Sequence, residues 1–406
     1  MQNTRRHLLG AALAAPALAT AAAPSARAGA GNKATAAFNF SPQRLGQALK
    51  AMVDTGRAAG VSAVVWQGGS ERYFGAFGLA DREARRPMAR NTLVRIWSMT
   101  KPVASAALMQ LWDAGRFRLD DPVSAYLPEF KSMRVHDAKG ERPAERPILV
   151  RDVLRHTAGL TYGSDDGPAE KAFEAADPFG KSPTLAAFSR NVAALPLVHE
   201  PGMAWHYGTA IDIVARLVEV LAGQPFDAYL EQHVLQPLGM RETAFVVPAA
   251  LQGRMAATYE FAAGQPPKRA NDIPFTFATG GAGLVAPIDD YLRFGRMMLA
   301  EGQLDGTRVL SAATVRTMMA NHLDPAIQPR HFLTSPGMGY GLGASVRIAP
   351  TVAGEAPSMV GEYSWGGMAS TLHWVDPANQ LVAVFFAQKL PFDNDLHNDF
   401  RRAVYG

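Results

Sequence analysis

The segment RIWSMTKPVASAALMQLW, residues 95–112, decides the fold prediction because it joins a short extended run to a helical pattern. Pro102 fits the first helical turn, where its missing N–H costs no hydrogen bond. Ser98 and Lys101 are three residues apart and therefore lie on one face of the helix. Two interpretations of this pair are open: a nucleophile beside its base, or a helix N-cap followed by a lysine that extends to water.

The apolar face of this helix favours the catalytic interpretation. Ala104 and Leu108 lie on the side that carries Lys101, so the pattern leads the lysine into the core. Burial disfavours a charged ammonium, and a neutral amine beside a hydroxyl is a general base. The spacing alone is a weak signal, since a chain of 406 residues contains about one Ser-x-x-Lys by chance.

Other catalytic patterns are missing from the sequence. The chain has no cysteine, which excludes disulfides, thiolate metal sites and a cysteine nucleophile. It also lacks the GxSxG and HExxH motifs. His156 and His206 are candidates for an alternative Ser-His-Asp triad, although neither stands in a recognisable motif. We expect no metal and no cofactor.

Strand patterns occur at both ends of the chain, and helical patterns fill the middle. The runs at 60–69 and 72–81 predict a hairpin through Gly68-Gly69. Further strands are expected at 339–349, 362–376 and 381–389, the last two joined as a hairpin. The N-terminal strands need partners, and the C-terminal ones are the candidates. We therefore expect an α/β (α+β) fold with an antiparallel sheet flanked by helices. Its α/β domain comprises residues 29–100 and 281–406, and a mainly helical domain, 101–280, is inserted.

The first 28 residues predict a twin-arginine export signal. Arg5-Arg6 precede an alanine-rich stretch, and Ala26-Arg27-Ala28 is a small-x-small cleavage pattern. The stretch is too short and too weakly apolar for a membrane anchor, so we expect a periplasmic protein without stable membrane insertion. Removing it lowers the net charge of +4 to about +1. Such a near-neutral chain, without a basic stripe, gives no indication of a nucleic-acid partner.

Five motifs, in their order and approximate spacing, resemble those of the serine β-lactamase-like hydrolases. This superfamily includes class C β-lactamases and penicillin-binding DD-peptidases, and the chain most resembles its family VIII carboxylesterases. The motifs extend over nearly the whole mature chain and are WSMTK (97–101), LRHTAGL (154–160), WHYGTAIDIVARLVEVLAG (205–223), GGAGLV (280–285) and WGGMASTLHWVDP (365–377).

The resemblance implies a set of catalytic residues. Ser98 is the implied nucleophile, with Lys101 and Tyr207 as its acid-base partners. The implied oxyanion hole consists of the backbone N–H groups of Ser98 and of Met368, which is expected on the strand after Gly367. Glycine at positions 366 and 367 would let an acyl group lie close to that strand.

Two departures from the family pattern bear on the substrate. Thr209 stands where relatives often carry asparagine, so an amide that orients substrate is absent. Trp365, in Trp365-Gly366-Gly367, replaces the lysine that faces the substrate carboxylate in penicillin-binding relatives. An opposite charge at about 4 Å contributes roughly 1 to 4 kcal/mol, so its loss weakens binding of carboxylated substrates. The indole adds an apolar wall suited to a neutral ester.

We therefore expect a serine carboxylesterase that cleaves small, short-acyl esters through an acyl-enzyme. In this scheme neutral Lys101 takes the Ser98 proton, and Tyr207 relays a proton to the leaving alkoxide. Two alternatives remain open: a β-lactamase or DD-peptidase-like amide hydrolase of the same fold, and a catalytically silent binding protein. The expected partner is a small-molecule ester, and the sequence predicts no oligomeric state.

Overall fold

A computed structural model describes residues 40–406, apart from 138, 139, 272–274, 332, 334 and 336. The predicted export signal, residues 1–28, lies outside the described residues. Among the described helices, none has the length and hydrophobicity that a membrane span requires.

The strands, in chain order, are β1 (Gly60–Gln67), β2 (Ser70–Asp81), β3 (Arg86–Pro87), β4 (Val94–Arg95), β5 (Arg134–Asp137), β6 (Gly140–Pro143), β7 (Tyr259–Glu260), β8 (Lys268–Arg269), β9 (Val285–Ala286), β10 (Gln303–Leu304), β11 (Thr307–Arg308), β12 (Met338–Tyr340), β13 (Ser345–Arg347), β14 (Tyr363–Gly367), β15 (Thr371–Asp376), β16 (Leu381–Ala387) and β17 (Lys389–Leu390).

The helices are α1 (Pro42–Asp54), α2 (Thr100–Asp113), α3 (Val150–Leu154), α4 (Pro168–Ala176), α5 (Pro178–Lys181), α6 (Leu185–Ala193), α7 (Ala210–Ala222), α8 (Phe226–Leu230), α9 (Gln236–Leu238), α10 (Ile288–Leu299), α11 (Ala312–Met319) and α12 (Asn394–Tyr405). A π-helical turn covers Glu231–Leu235, and short 3-10 turns cover Trp97–Met99, Val123–Ala125, Pro128–Phe130 and Ala249–Arg254.

Strands from both ends of the chain form one antiparallel sheet, as the sequence predicts. Among the described residues its order is β12-β13-β14-β15-β16-β1-β2-β3. Within the sheet, the N-terminal and C-terminal strands meet where β1 pairs with β16, and Val64 lies opposite Val384. The domain boundaries drawn from the sequence stay a prediction.

The two faces of the sheet are covered by different helices. Along β16, Val384 and Phe386 belong to the large core that includes α2, α7 and α10, whereas Ala383 and Phe385 pack with α1 and α12. This alternation follows from the two-residue period of a strand. Burying one such Val or Phe side chain contributes about 1.5–3 kcal/mol to folding. A strand buried on both faces therefore contributes strongly to the stability of the sheet and of both helical layers.

Two predicted strand segments are each a hairpin. Residues 339–349 contain most of β12 and all of β13, and residues 362–376 contain β14 and β15. Ser370 adopts a left-handed backbone, with φ of 64°, and its N–H donates to the carbonyl of Gly367 at 2.9 Å, which closes the second turn. The prediction that Met368 lies on a strand is therefore wrong, because the chain reverses direction at that residue.

Three helices surround the site, and the first of them, α2, is predicted by the sequence. α2 is buried along almost its whole length and packs against α7, which ends at Gly223 in a left-handed C-cap. α10 lies across β16 and β15. Among the described residues of the central region, 101–280, helices account for most of the regular secondary structure, and the short strands β5 to β8 account for the rest.

Candidate active site

Ser98 lies in a tight turn between β4 and α2. The residue before it, Trp97, has a φ of 49°, a left-handed conformation that costs a tryptophan roughly 1–3 kcal/mol. Neighbouring segments hold the turn: the Ile96 N–H donates to the Leu284 carbonyl at 3.1 Å, and the buried Tyr291 hydroxyl donates to the Met99 carbonyl at 2.8 Å. Packing therefore maintains an unusual backbone that presents the Ser98 hydroxyl.

Lys101 is fully buried beside that hydroxyl. Its Nζ donates to Ser98 Oγ at 3.0 Å and to the Gly281 carbonyl at 2.7 Å, and no surface of the residue is exposed. The amine also lies over the rings of Tyr207, 4.7 Å from the centroid, and Tyr162, at 5.5 Å. The interpretation of Lys101 as a lysine that extends to water is therefore wrong.

The alternative role of Ser98 as a helix cap also fails. The N-cap position of α2 is Met99, and no side chain caps this helix end. The Ser98 oxygen instead accepts hydrogen bonds from Lys101 and from Tyr207, whose hydroxyl is 2.7 Å away. The structure thus brings together the three residues of the predicted catalytic set.

Tyr207 comes from the segment that precedes α7. Its ring packs against His156, Tyr162 and Trp365, with centroid distances of 4.9, 5.5 and 5.5 Å. The next residue must be glycine, because a Cβ on Gly208 would lie 2.1 Å from a backbone oxygen. Close packing on several sides fixes the phenol opposite Lys101.

Strand β14 supplies the predicted third motif. Trp365 is half-buried and contacts Tyr207, as described above. A Cβ on Gly367 would lie 2.4 Å from the Ile96 carbonyl oxygen, so only glycine lets β14 approach the Ser98 turn this closely. Gly366 is similarly confined, with a Cβ 3.0 Å from the His397 ring. Met368 begins the turn that follows, and the oxyanion role of its N–H stays a prediction.

Thr209 is buried at the N-terminus of α7. Its hydroxyl makes no hydrogen bond with any described residue. It therefore does not reproduce the contacts of the asparagine amide that relatives often carry there, and its role in substrate binding stays a prediction.

Sequence reasoning missed Asp212 and Gly281. Asp212 is fully buried in the first turn of α7, and its Oδ1 accepts the Gly281 N–H at 3.0 Å. Burial raises the pKa of this carboxyl, and the Lys101 charge and hydrogen bonds oppose that rise. The Gly281 carbonyl accepts from Lys101, so Asp212 and Lys101 are connected through the backbone of one residue. An acidic residue on an apolar helix face was the available signal, but helix N-termini commonly carry one.

The histidine triad finds no support in the geometry. His156 is buried in an aromatic cluster, and neither ring nitrogen hydrogen-bonds to a described residue. Burial, followed by the charges of Lys101 and His206, lowers its pKa well below the usual value. His206 instead lies against Glu170, with Nε2 2.8 Å from Oε1. Ser98 is hydrogen-bonded to Lys101 and Tyr207, and among its described residues the structure does not bring a Ser-His-Asp triad together at Ser98.

The comparisons with known proteins agree with this geometry. The family model described as Beta-lactamase matches residues 45–405. The chain belongs to the β-lactamase family. This confirms the resemblance drawn from the motifs and the fold class predicted from them.

Similar members of this family include esterases. The chain is 32% identical to Esterase EstB of Burkholderia gladioli over 375 residues, covering 84% of this chain and 90% of the relative. Protein Rv1367c of Mycobacterium tuberculosis is 37% identical over 376 residues, covering 88% and 92% of the two chains. Among solved structures, EstCE1, a hydrolase with promiscuous acyltransferase activity, is similar with a TM-score of 0.78 and 28% identity, covering 90% and 98%. The chain is thus a serine hydrolase of β-lactamase fold with esterase relatives.

Proposed function

We propose that this β-lactamase-family protein is a serine carboxylesterase that cleaves small, neutral, short-acyl esters through an acyl-enzyme on Ser98. The observation that carries the proposal is the position of Ser98 Oγ, 3.0 Å from a fully buried amine and 2.7 Å from a phenol. Both distances allow direct proton transfer.

Acylation begins with the contact between Ser98 and Lys101. When Lys101 is neutral, its lone pair accepts the Ser98 proton as Oγ bonds to the ester carbonyl carbon. The carbonyl becomes an oxyanion, which the N–H groups of Ser98 and Met368 stabilise. The Gly281 carbonyl keeps accepting a hydrogen bond from the amine and so holds it in line throughout.

The tetrahedral intermediate then breaks its bond to the leaving oxygen. Tyr207 gives its proton to the departing alkoxide and regains one from Lys101, so the products are an alcohol and acyl-Ser98. Water attacks the acyl group with the same residues acting in reverse, which releases the carboxylic acid and restores the Ser98 proton.

The residues around this cluster support a neutral substrate. Trp365 contacts Tyr207 at the position where penicillin-binding relatives carry a lysine, and further aromatic side chains continue the wall. Tyr162 packs with Phe179, and Phe179 with Phe275, at centroid distances of 6.2 and 6.1 Å. These half-buried rings favour an apolar acyl or alcohol group over a charged one.

Acyl transfer to an alcohol is a second candidate activity. EstCE1, at 28% identity, is described as a hydrolase with promiscuous acyltransferase activity. An alcohol in place of the deacylating water would give a new ester by the same steps. The twin-arginine pattern supports export to the periplasm, where both reactions would take place.

A substrate panel tests the ester proposal. We expect 4-nitrophenyl acetate and butyrate to be hydrolysed with a kcat/KM at least about 100-fold above that for a chromogenic cephalosporin, because Trp365 stands in place of the lysine that would bind the cephalosporin carboxylate. A longer 4-nitrophenyl acyl series measures the chain-length preference. Faster hydrolysis of the cephalosporin would overturn the proposal in favour of an amide hydrolase.

A further inference from the structure

A second polar cluster lies directly behind the segment that carries Tyr207. It consists of Asp165, Glu170, His206 and His331, and we call it the histidine cluster. Asp165, His206 and His331 each offer one ligand atom, and these three atoms lie within 4.8 Å of one another. Asp165, His206 and His331 come from three loops, and Glu170 comes from the first turn of α4. No catalytic step proposed for Ser98 uses these residues.

The two imidazoles are aligned with each other. The rings of His206 and His331 stack with their centroids 4.5 Å apart and an interplanar angle of 13°. This arrangement brings one nitrogen of each ring close to the Asp165 carboxylate. Imidazole nitrogens are the commonest metal ligands in proteins.

Each imidazole also has its own carboxylate. His331 Nε2 lies 2.8 Å from Asp165 Oδ2, and His206 Nε2 lies 2.8 Å from Glu170 Oε1. Glu170 is only 2% exposed, and its other oxygen accepts the Thr161 hydroxyl. A buried carboxylate that orients a histidine is a common outer partner in metal sites.

We propose that Asp165, His206 and His331 bind one divalent transition-metal ion of the zinc type, with Glu170 orienting His206. Two imidazole nitrogens and a carboxylate oxygen form a ligand set that suits Zn²⁺ and leaves a fourth position for water. Zn–ligand bonds of 2.0–2.2 Å at tetrahedral angles place ligand atoms about 3.3 Å apart. The exposed side chain of Asp165 can close the remaining distance by rotation.

The metal would link three segments around the active site. The loop with Asp165 also carries Tyr162, which packs on Tyr207, and His206 is the neighbour of Tyr207. The His331 N–H donates to the Trp205 carbonyl at 3.1 Å, so this segment already supports the Tyr207 strand. A bound ion would therefore stabilise the wall of the substrate site without contacting Ser98.

Titration of tag-free, metal-stripped protein with ZnCl₂ tests this site. By isothermal titration calorimetry we expect one Zn²⁺ per chain, with a thermal midpoint that rises with Zn²⁺ concentration because the ion binds the folded state. MgCl₂ should cause no such rise, since Mg²⁺ prefers oxygen ligands. Bound Co²⁺ should show the visible absorption of a four-coordinate site.

His331→Gln and Asp165→Asn each remove one ligand and leave Ser98, Lys101 and Tyr207 in place. We expect either variant to weaken Zn²⁺ binding by at least 10-fold while metal-free esterase activity is retained. His233→Gln, which changes a half-buried histidine outside the cluster, is the matched control and should bind Zn²⁺ normally. Absence of stoichiometric binding in the parent protein, or unchanged binding in both ligand variants, would overturn the proposal.

Discussion

Two polar clusters meet at Tyr207, and they are built in different ways. The catalytic cluster, Ser98, Lys101 and Tyr207, is placed by the start of α2 and by the segment before α7. The histidine cluster is placed by three loops and the first turn of α4, and its Asp165 is exposed whereas Lys101 is fully buried. Ser98 and Lys101, which share one helix start, leave a local sequence pattern, whereas residues brought together from separate segments do not.

The largest expected effect is on the catalytic cluster. Lys101→Met removes the base and keeps an unbranched side chain in the buried space, so we expect kcat for 4-nitrophenyl butyrate to fall by about 10³–10⁴-fold. Circular dichroism and thermal unfolding verify that the variant is folded. A folded Lys101→Met enzyme with wild-type kcat would remove the amine from the mechanism.

Tyr207→Phe is expected to have the next largest effect on activity. The ring packing on His156 and Trp365 is retained, and only the hydroxyl that reaches Ser98 is lost. We expect acylation and deacylation, measured by stopped-flow, each to slow by about 10²–10³-fold. Near wild-type rates for both steps would show that the phenol relays no proton.

Ser98 and Lys101 could be predicted because their geometry follows from local structure, whereas Tyr207 was implied only by the family resemblance. Residues at i and i+3 share a helix face, and apolar residues on that face led Lys101 inward. The hairpins at Gly68-Gly69 and at 377–380 were predicted for the same reason, since their turns are local.

What could not be predicted depends on tertiary contacts. Gly281 lies in the GGAGLV motif, but the motif does not show that the Gly281 carbonyl accepts a hydrogen bond from Lys101 at 2.7 Å. The proposed metal ligands are far apart in sequence: Asp165, His206 and His331. They therefore form no metal-binding motif, and the sequence offers no reason to expect a metal. The turn at Met368 was missed because a short apolar run does not show where it reverses.

A smaller effect is expected from Asp212→Asn, which removes the negative charge and keeps a side chain of nearly the same shape in the same place. The amide oxygen can still accept the Gly281 N–H, so we expect kcat to fall only about 10-fold, equivalent to about 1.4 kcal/mol. Because burial raises the pKa of Asp212, its ionised form opposes folding once the pH exceeds that raised value.

The asparagine should therefore leave the thermal midpoint at pH 8 unchanged or higher. Asp212→Glu, which keeps the charge and displaces it, is the matched control and should lower the midpoint. A large loss of stability in Asp212→Asn would mean that the residue is merely structural.

The smallest expected effect concerns His156, which lies between the clusters. Its folded-state pKa lies below the unfolded value, so the unfolded chain binds a proton that the folded chain does not. The contribution of neutral His156 to the free energy of unfolding is thus fully present above pH 6.5. It falls by about 1.4 kcal/mol per pH unit as the pH decreases below that value.

His156→Asn suits the left-handed backbone, with φ of 57°, and cannot titrate. We expect its free energy of unfolding to depend less steeply on pH between 6.5 and 5 than that of the parent, whatever the absolute stability. Equal slopes in the two proteins would show that His156 is protonated in the folded state.

The central claim is that Ser98 is the nucleophile, and a covalent adduct tests it most directly. Protein treated with a serine-directed phosphonate ester, or quenched during turnover of 4-nitrophenyl butyrate, is analysed by intact mass and peptide mapping. We predict one added phosphonyl or butyryl group on the peptide that contains Ser98, and none in Ser98→Ala. An adduct on another residue, or one that persists in Ser98→Ala, would contradict the account.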